Sequence, residues 1–206
     1  MPSDATFLEV KNAFQSIAGL ESLTAADEFF LTSSLNRAVH RAYNESDSWP
    51  RYLVVGESRL LLTDPAATVP YAEGGQETIG EFLRIHRTQP FLNNSVVEFE
   101  FYVDSVGAHI LNLTTSDSTS VFVTYKKELQ TNFTPDSTDI PGEFVDYIIY
   151  TALSDFYTGD GQTDKAAMAA AQAKIMLDIE LLRLDKKANN NTINKKFSTY
   201  VNSQAR

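Results

Sequence analysis

The sequence predicts an α+β fold: a helical bundle, in which an N-terminal helical pair packs on a C-terminal helical hairpin, with an inserted antiparallel β region and an extended C-terminal tail. Three observations carry this. Apolar residues recur at helical spacing over roughly the first 45 residues, they alternate in short blocks broken by Gly, Pro, Asn and Asp through the middle, and the helical spacing returns after Pro135. The expected division is 1–50 and 135–188 for the bundle, 51–134 for the inserted β region and 189–206 for an extended arm.

Each element has its own local reason. Phe7, Val10, Phe14 and Ile17 share a helical face and Gly19 follows as a stop, so the first helix should run over 6–18. Thr24 and Asp27 have capping-box spacing, with Asp where Glu or Gln is usual, and Phe30, Leu31, Leu35, Ala38, Val39 and Ala42 form the stripe of a second helix that must end before Trp49-Pro50. Blocks at 52–55, 59–63, 79–87, 96–103, 109–113 and 121–125 read as strands of a β meander, and Val97, Phe99, Phe101 and Val103 alternate with polar neighbours as the inner face of one of them. Its open edges would offer neighbouring copies a pairing surface. Ile140-Pro141-Gly142-Glu143 starts a third helix carrying Phe144, Tyr147, Ile148, Thr151, Ala152, Leu153 and Phe156, which breaks at Gly159-Asp160-Gly161. A last helix, alanine-dense over 165–173 and striped by Ile175, Met176, Ile179 and Leu182, should run from about Thr163 to Lys187, where three asparagines (Asn189, Asn190, Asn191) end it.

Composition narrows the chemistry. At 206 residues with 43% hydrophobic and 11% aromatic content, the chain can bury a real core, and neither a disordered nor a collagen-like chain fits. The absence of cysteine removes disulfides, thiolate metal sites and thiol nucleophiles. A net charge of −10 argues against a surface built to grip nucleic acid. The charge is uneven: six of the 17 basic residues (Arg183, Lys186, Lys187, Lys195, Lys196, Arg206) and only Asp185 of the 27 acids lie beyond residue 182, leaving 11 bases against 26 acids, a net of −15, in the rest. The first 20 residues carry no secretory pattern and no apolar run reaches the ~20 residues of a membrane span, so a soluble protein made in a cytoplasm-like compartment is expected.

No catalytic set emerges. His40, His86 and His109 form no His-x-x-x-His or Glu-x-x-His pair, and His86 should point to the polar face of its strand. Counting a calcium loop from Asp155 puts Tyr157, Gly159 and Ala166 where oxygen ligands belong. Neither Gly74-Gly75 nor Gly159-x-Gly161 leads into a phosphate cradle, and there is no Gly-x-Ser-x-Gly elbow. Glu98 and Glu100 share a strand face near Asp104, but with a spacing common to any solvated strand. No cofactor or metal is expected, and an interaction protein is favoured over an enzyme.

The identity-bearing stretch runs from Val123-Thr124-Tyr125-Lys126-Lys127-Glu128 through Phe133-Thr134-Pro135-Asp136 and Ile140-Pro141-Gly142-Glu143-Phe144 to Ala152-Leu153-Ser154 and Asp160-Gly161-Gln162-Thr163-Asp164-Lys165-Ala166. This order, with Leu35 to Ala38, Ala42-Tyr43 and Ser48-Trp49-Pro50 upstream, resembles the head-to-tail connector (adaptor) proteins of tailed bacteriophages over most of residues 5–185. The resemblance implies a homo-oligomeric ring, usually of twelve copies, in the virion neck. Such a ring sits under the portal protein, receives the tail or nozzle protein below and passes double-stranded DNA through its channel, with no membrane involved. It also implies that the C-terminal arm reaches the portal. On this chain that arm would use Lys195, Lys196, Phe197, Tyr200 and Arg206, the aromatic residues filling pockets and the basic ones meeting acids. Two other readings compete with it: another neck or tail-completion protein, and a small enzyme using Glu98, Glu100 and Asp104.

Overall fold

The computed structural model describes residues 3–63, 66–90, 97–111, 113, 119–130 and 132–204, with side chains described through Lys186 except at Ala66. These residues are α+β and divide into two compact units, Met1–Ser46 with Gln130–Arg206, and Asp47–Leu129.

In the helical unit the ends are set by local chemistry. Helix α1 (Phe7–Ala18) begins where the Thr6 hydroxyl accepts from the Glu9 amide at 3.1 Å and the Glu9 carboxylate accepts from the Thr6 amide at 2.7 Å. It ends at Gly19, whose φ of 72° suits a residue without Cβ. Helix α2 (Ala25–Asn44) repeats the capping box with Thr24 and Asp27, the shorter carboxylate reaching the Thr24 amide at 3.0 Å. After a 3₁₀ turn (Gly142–Phe144) begun by Pro141, helix α3 (Val145–Gly159) lies against α1, α2 and α4 (Thr163–Gln204). Phe14 meets Phe156 edge-on at 5.7 Å, and Leu31, Leu35, Ile148 and Leu153 are buried. Ala5 and Ile140 form a short antiparallel bridge that ties the start of the chain to the α3 approach.

Helix α4 departs from the sequence expectation twice. Its buried face is Ala166, Ala169, Ala173 and Leu177, whereas Ile175, Ile179 and Leu182 of the expected stripe are exposed. Small side chains let the α3 and α4 backbones approach closely, so the alanine face wins the contact. The helix also continues to Gln204 instead of giving way to an extended arm near Lys187. No glycine or proline follows Gly161, and an asparagine costs a running helix less than ~1 kcal/mol.

The β unit contains β1 (Leu53–Leu60), β2 (Leu62–Thr63), β3 (Ala66–Pro70), β4 (Ile79–His86), β5 (Glu98–Phe99), β6 (Phe101–Val103), β7 (Gly107–Ile110) and β8 (Ser120–Lys127). They make two antiparallel sheets ordered β1-β8-β4-β5 and β2-β3-β7-β6, so the expected simple meander is overturned: half of the neighbouring pairs, β1-β8, β8-β4 and β3-β7, join strands that are not consecutive in sequence. The expected separate strands at 52–55 and 59–63 are joined by Gly56, at φ 65°, which places a bulge inside β1. Only Leu61 separates β1 from β2, and only Glu100 separates β5 from β6. The two edge strands of one sheet therefore run directly into those of the other, and a shared core of Val69, Ile85, Ala108, Val121, Val123 and Tyr125 draws on strands of both. Among the described residues β1, β2, β5 and β6 each pair with a strand on one side only, so the two sheets keep edges of the kind expected from the sequence.

Candidate functional site

Titratable side chains concentrate at two places in the β unit. Glu57 and Arg59 alternate along β1, so both face the same way, opposite Val123 and Val121 of β8 and close to Tyr125. Arg59 is fully buried; its Nη2 donates to the Glu77 carbonyl at 2.6 Å and to the Tyr125 hydroxyl at 2.7 Å, and lies 2.8 Å from Glu57 Oε2. The Tyr125 hydroxyl donates to Glu57 at 2.6 Å. Burial pushes the Tyr125 phenol up to about 12, the bond to Glu57 adding to the effect and Arg59 working against it. Next door, burial pulls the Lys126 ammonium below its ordinary range, opposed by Asp47 at 3.6 Å and by Glu81. With the guanidinium sealed from solvent, this network holds β1 against β8 and presents no reacting group to a substrate.

The second place joins a hydroxyl, an imidazole and a carboxylate in the order used for acyl transfer. Thr68 Oγ1 lies 2.8 Å from His109 Nδ1, and His109 Nε2 lies 2.9 Å from Asp104 Oδ2, with Tyr102 stacked on the imidazole at 4.7 Å. Asp104 Oδ1 also accepts from the Val106 and Gly107 amides, and the Val106 bond foremost, then the bond with His109 and the Gly107 bond, hold its carboxyl below the usual carboxylate range. Thr68 has no exposed surface, so its hydroxyl cannot meet a substrate. The trio is a latch between β3, β7 and the β6–β7 turn. Neither cluster was visible in sequence, because their members are 41 and 66 positions apart.

The other sequence candidates stay apart. His40 is exposed, beside Asn44 at 3.4 Å. His86 is 5% exposed instead of facing solvent: the register is regular from Arg84 to His86, so it lies on the strand face opposite Ile85, and both faces are covered there. Glu98 and Glu100 are exposed and Asp104 serves its turn; among the described residues no group of three His, Asp or Glu could hold a metal ion. Lys195, Lys196, Phe197 and Tyr200 fall on the far end of α4, where side chains lie outside the described residues, and Arg206 lies outside them altogether.

The helical unit offers a concave surface instead. A groove of about 350 Å³ opens between α2, α3 and α4, lined by Arg41 and Glu45, by Thr151 and Asp155, and by Ala173 and Leu177 among others. Asp155 is held from below, accepting from Ser34 Oγ at 2.6 Å and from Arg37 Nη2 at 3.0 Å. Thr151 is 8% exposed and its hydroxyl has no hydrogen-bond partner among the described residues. Among those residues no helix is long and apolar enough to cross a membrane. Compared with protein-family models and with curated proteins, the chain matches none.

Proposed function

We propose that this chain is a virion structural protein of a tailed bacteriophage, a head-to-tail adaptor whose copies form a ring under the portal, join capsid to tail and line the channel for DNA. The observation that supports it best is the segment 140–166. Its Pro-containing start, apolar α3, glycine turn at Gly161 and alanine-faced α4 follow one another in the order that carries the family resemblance. In this reading α1 and α2 pack on the α3–α4 hairpin as the adaptor bundle, with the two-sheet β unit as its insertion.

Charge suits the role. A body at −15 lining a channel repels DNA and lets it pass, while the basic end of α4, with Phe197 and Tyr200, anchors on acidic and apolar pockets of the portal. The protein then works without a cofactor, residing in the virion neck after synthesis in the host cytoplasm. Mass measurement of purified virions tests this: the chain is expected in particles in multiple copies, and its absence from them refutes the reading.

A further inference from the structure

We infer that the α2–α3–α4 groove binds a short zwitterion, a carboxylate and an ammonium held apart by a few methylenes. The inference stands on the groove alone and does not depend on the adaptor reading.

Four charged side chains stand on two walls, Arg41 and Glu45 on α2, Lys174 and Asp178 on α4. Among the described residues none of the four makes an ion pair. Each wall has its base four residues before its acid, the order in which such a pair on a helix attracts less, so the charges stay available to a third group. The two walls also run the same way. Ser34 and Arg37 meet Asp155 toward the end of α3, while Arg41 and Glu45, further along α2, line the groove with Thr151 and Tyr147. On the other side the Ser154 hydroxyl donates to the Ala166 carbonyl, and Lys174 and Asp178 come further along α4. Both α2 and α4 are therefore antiparallel to α3, and on each wall, in the same direction, a base precedes an acid by about 6 Å of helix.

That arrangement selects the ligand. Two bases and two acids sum to zero, so an ion of one sign loses at one end what it gains at the other, whereas a zwitterion set the opposite way gains at both. Asp155 leaves the sum unchanged, because Arg37 already pairs with it. The Thr151 side chain is an independent sign of a missing partner: the residue is 8% exposed, it lines the groove, and its hydroxyl has no hydrogen-bond partner among the described residues. A buried hydroxyl left unmet is costly, and threonine on a helix keeps two rotamers open, so this one can turn its O–H to a carboxylate that arrives between Arg41 and Lys174. Ala173 and Leu177, on the same wall as Lys174 and Asp178, give apolar surface to the methylenes. The volume of about 350 Å³ is at the small end of ligand sites, which suits a molecule of this size.

The probe is 4-aminobutyrate, whose methylene chain spans roughly one four-residue step of helix. Added to the full chain at low salt, it is expected to shift the amide resonances of the α4 wall with a dissociation constant of millimolar order, since exposed ion pairs are screened. Butyrate and butylamine, which carry one of the two charges each, and glycine, whose charges are adjacent, are expected to bind at least about tenfold more weakly. Lys174→Gln and Asp178→Asn, both at exposed positions, should each weaken 4-aminobutyrate several-fold with circular dichroism unchanged, and Thr151→Val, which keeps the shape and drops the hydroxyl, should weaken it as well. Absence of any shift with 4-aminobutyrate would overturn the inference. Equal affinity for 4-aminobutyrate and for butyrate or butylamine would overturn it by showing a site for a single charge, and full-strength binding in any of the three variants would overturn it by placing the ligand elsewhere.

Discussion

In the helical unit the residues that close α1 and α2 find their partners three positions away, Thr6 with Glu9 and Thr24 with Asp27. In the β unit Arg59 reaches its partners 18 and 66 positions away, and a charged side chain sits at full burial where the helical unit has leucine and isoleucine. The difference teaches how each part is specified. Local caps and an apolar face set helices almost independently of what surrounds them. Two sheets have many possible registers, and a buried guanidinium whose Nη2 meets Glu57, Glu77 and Tyr125 only when all three converge penalises the wrong ones.

That contrast can be broken by two reporters, since the single tryptophan, Trp49, belongs to the β unit and the helical band of circular dichroism reports the other. The largest effect is expected from Arg59→Ala, which leaves a cavity and strips Glu57 and Tyr125 of their cation: about 3–5 kcal/mol of stability, read in urea unfolding by Trp49 fluorescence. Gly107→Ala should follow at roughly 2–4 kcal/mol, because a Cβ there would lie 2.0 Å from the Val69 carbonyl oxygen. Leu153→Ala, in the helical core, should remove about 2–4 kcal/mol but shift the helical band first. Identical shifts of both reporters in all three variants would show that the two units unfold as one and would dissolve the comparison. Thr24→Ala, which loses one cap, is expected to remove only ~1 kcal/mol, again from the helical band.

The smallest effect is a difference in pH response. The Tyr125 phenol is raised from 10.0 to about 12 in the folded protein, so its contribution is complete below pH 10 and is lost as pH rises from there through about 12, where the unfolded chain ionises first. Tyr125→Phe should flatten that alkaline limb in the Trp49 signal. The cap carboxylates behave oppositely. Glu9 and Asp27 are depressed below 4.5 and 3.8 by their bonds to Thr6 and Thr24, so their contribution is present above those values and lost as pH falls through the lower folded ones. An alkaline limb confined to Trp49 would sharpen the contrast, whereas an acid limb is expected in both signals, because the Asp104 carboxyl of the β unit is lowered as well.

What was legible in sequence follows the same division. Thr6, Gly19, Thr24, Pro141 and Gly161 mark helix boundaries that the structure places within a residue or two, because capping is decided by a few adjacent groups. The mixed α+β class and the antiparallel sense of the strands were legible as well. Strand order was not, since nothing local tells β1 to pair with β8. Nor was the burial of His86 and Arg59, where both faces of a strand are covered and where a distant network takes up a charge. Helix α4 shows a subtler failure: its larger apolar residues drew attention to one face, while close packing chose the alanines opposite. The groove is invisible in sequence because its lining comes from three helices far apart along the chain.

The central claim, an adaptor that joins portal to tail through its C-terminal end, is tested most directly by mixing portal-bearing capsids with the full chain and with a chain ending at residue 188, and weighing what sediments with the capsids. The account predicts that the full chain binds in multiple copies and that the shortened chain, with the same circular dichroism over its bundle, is left behind. Equal binding of the two, or binding of neither, would contradict it.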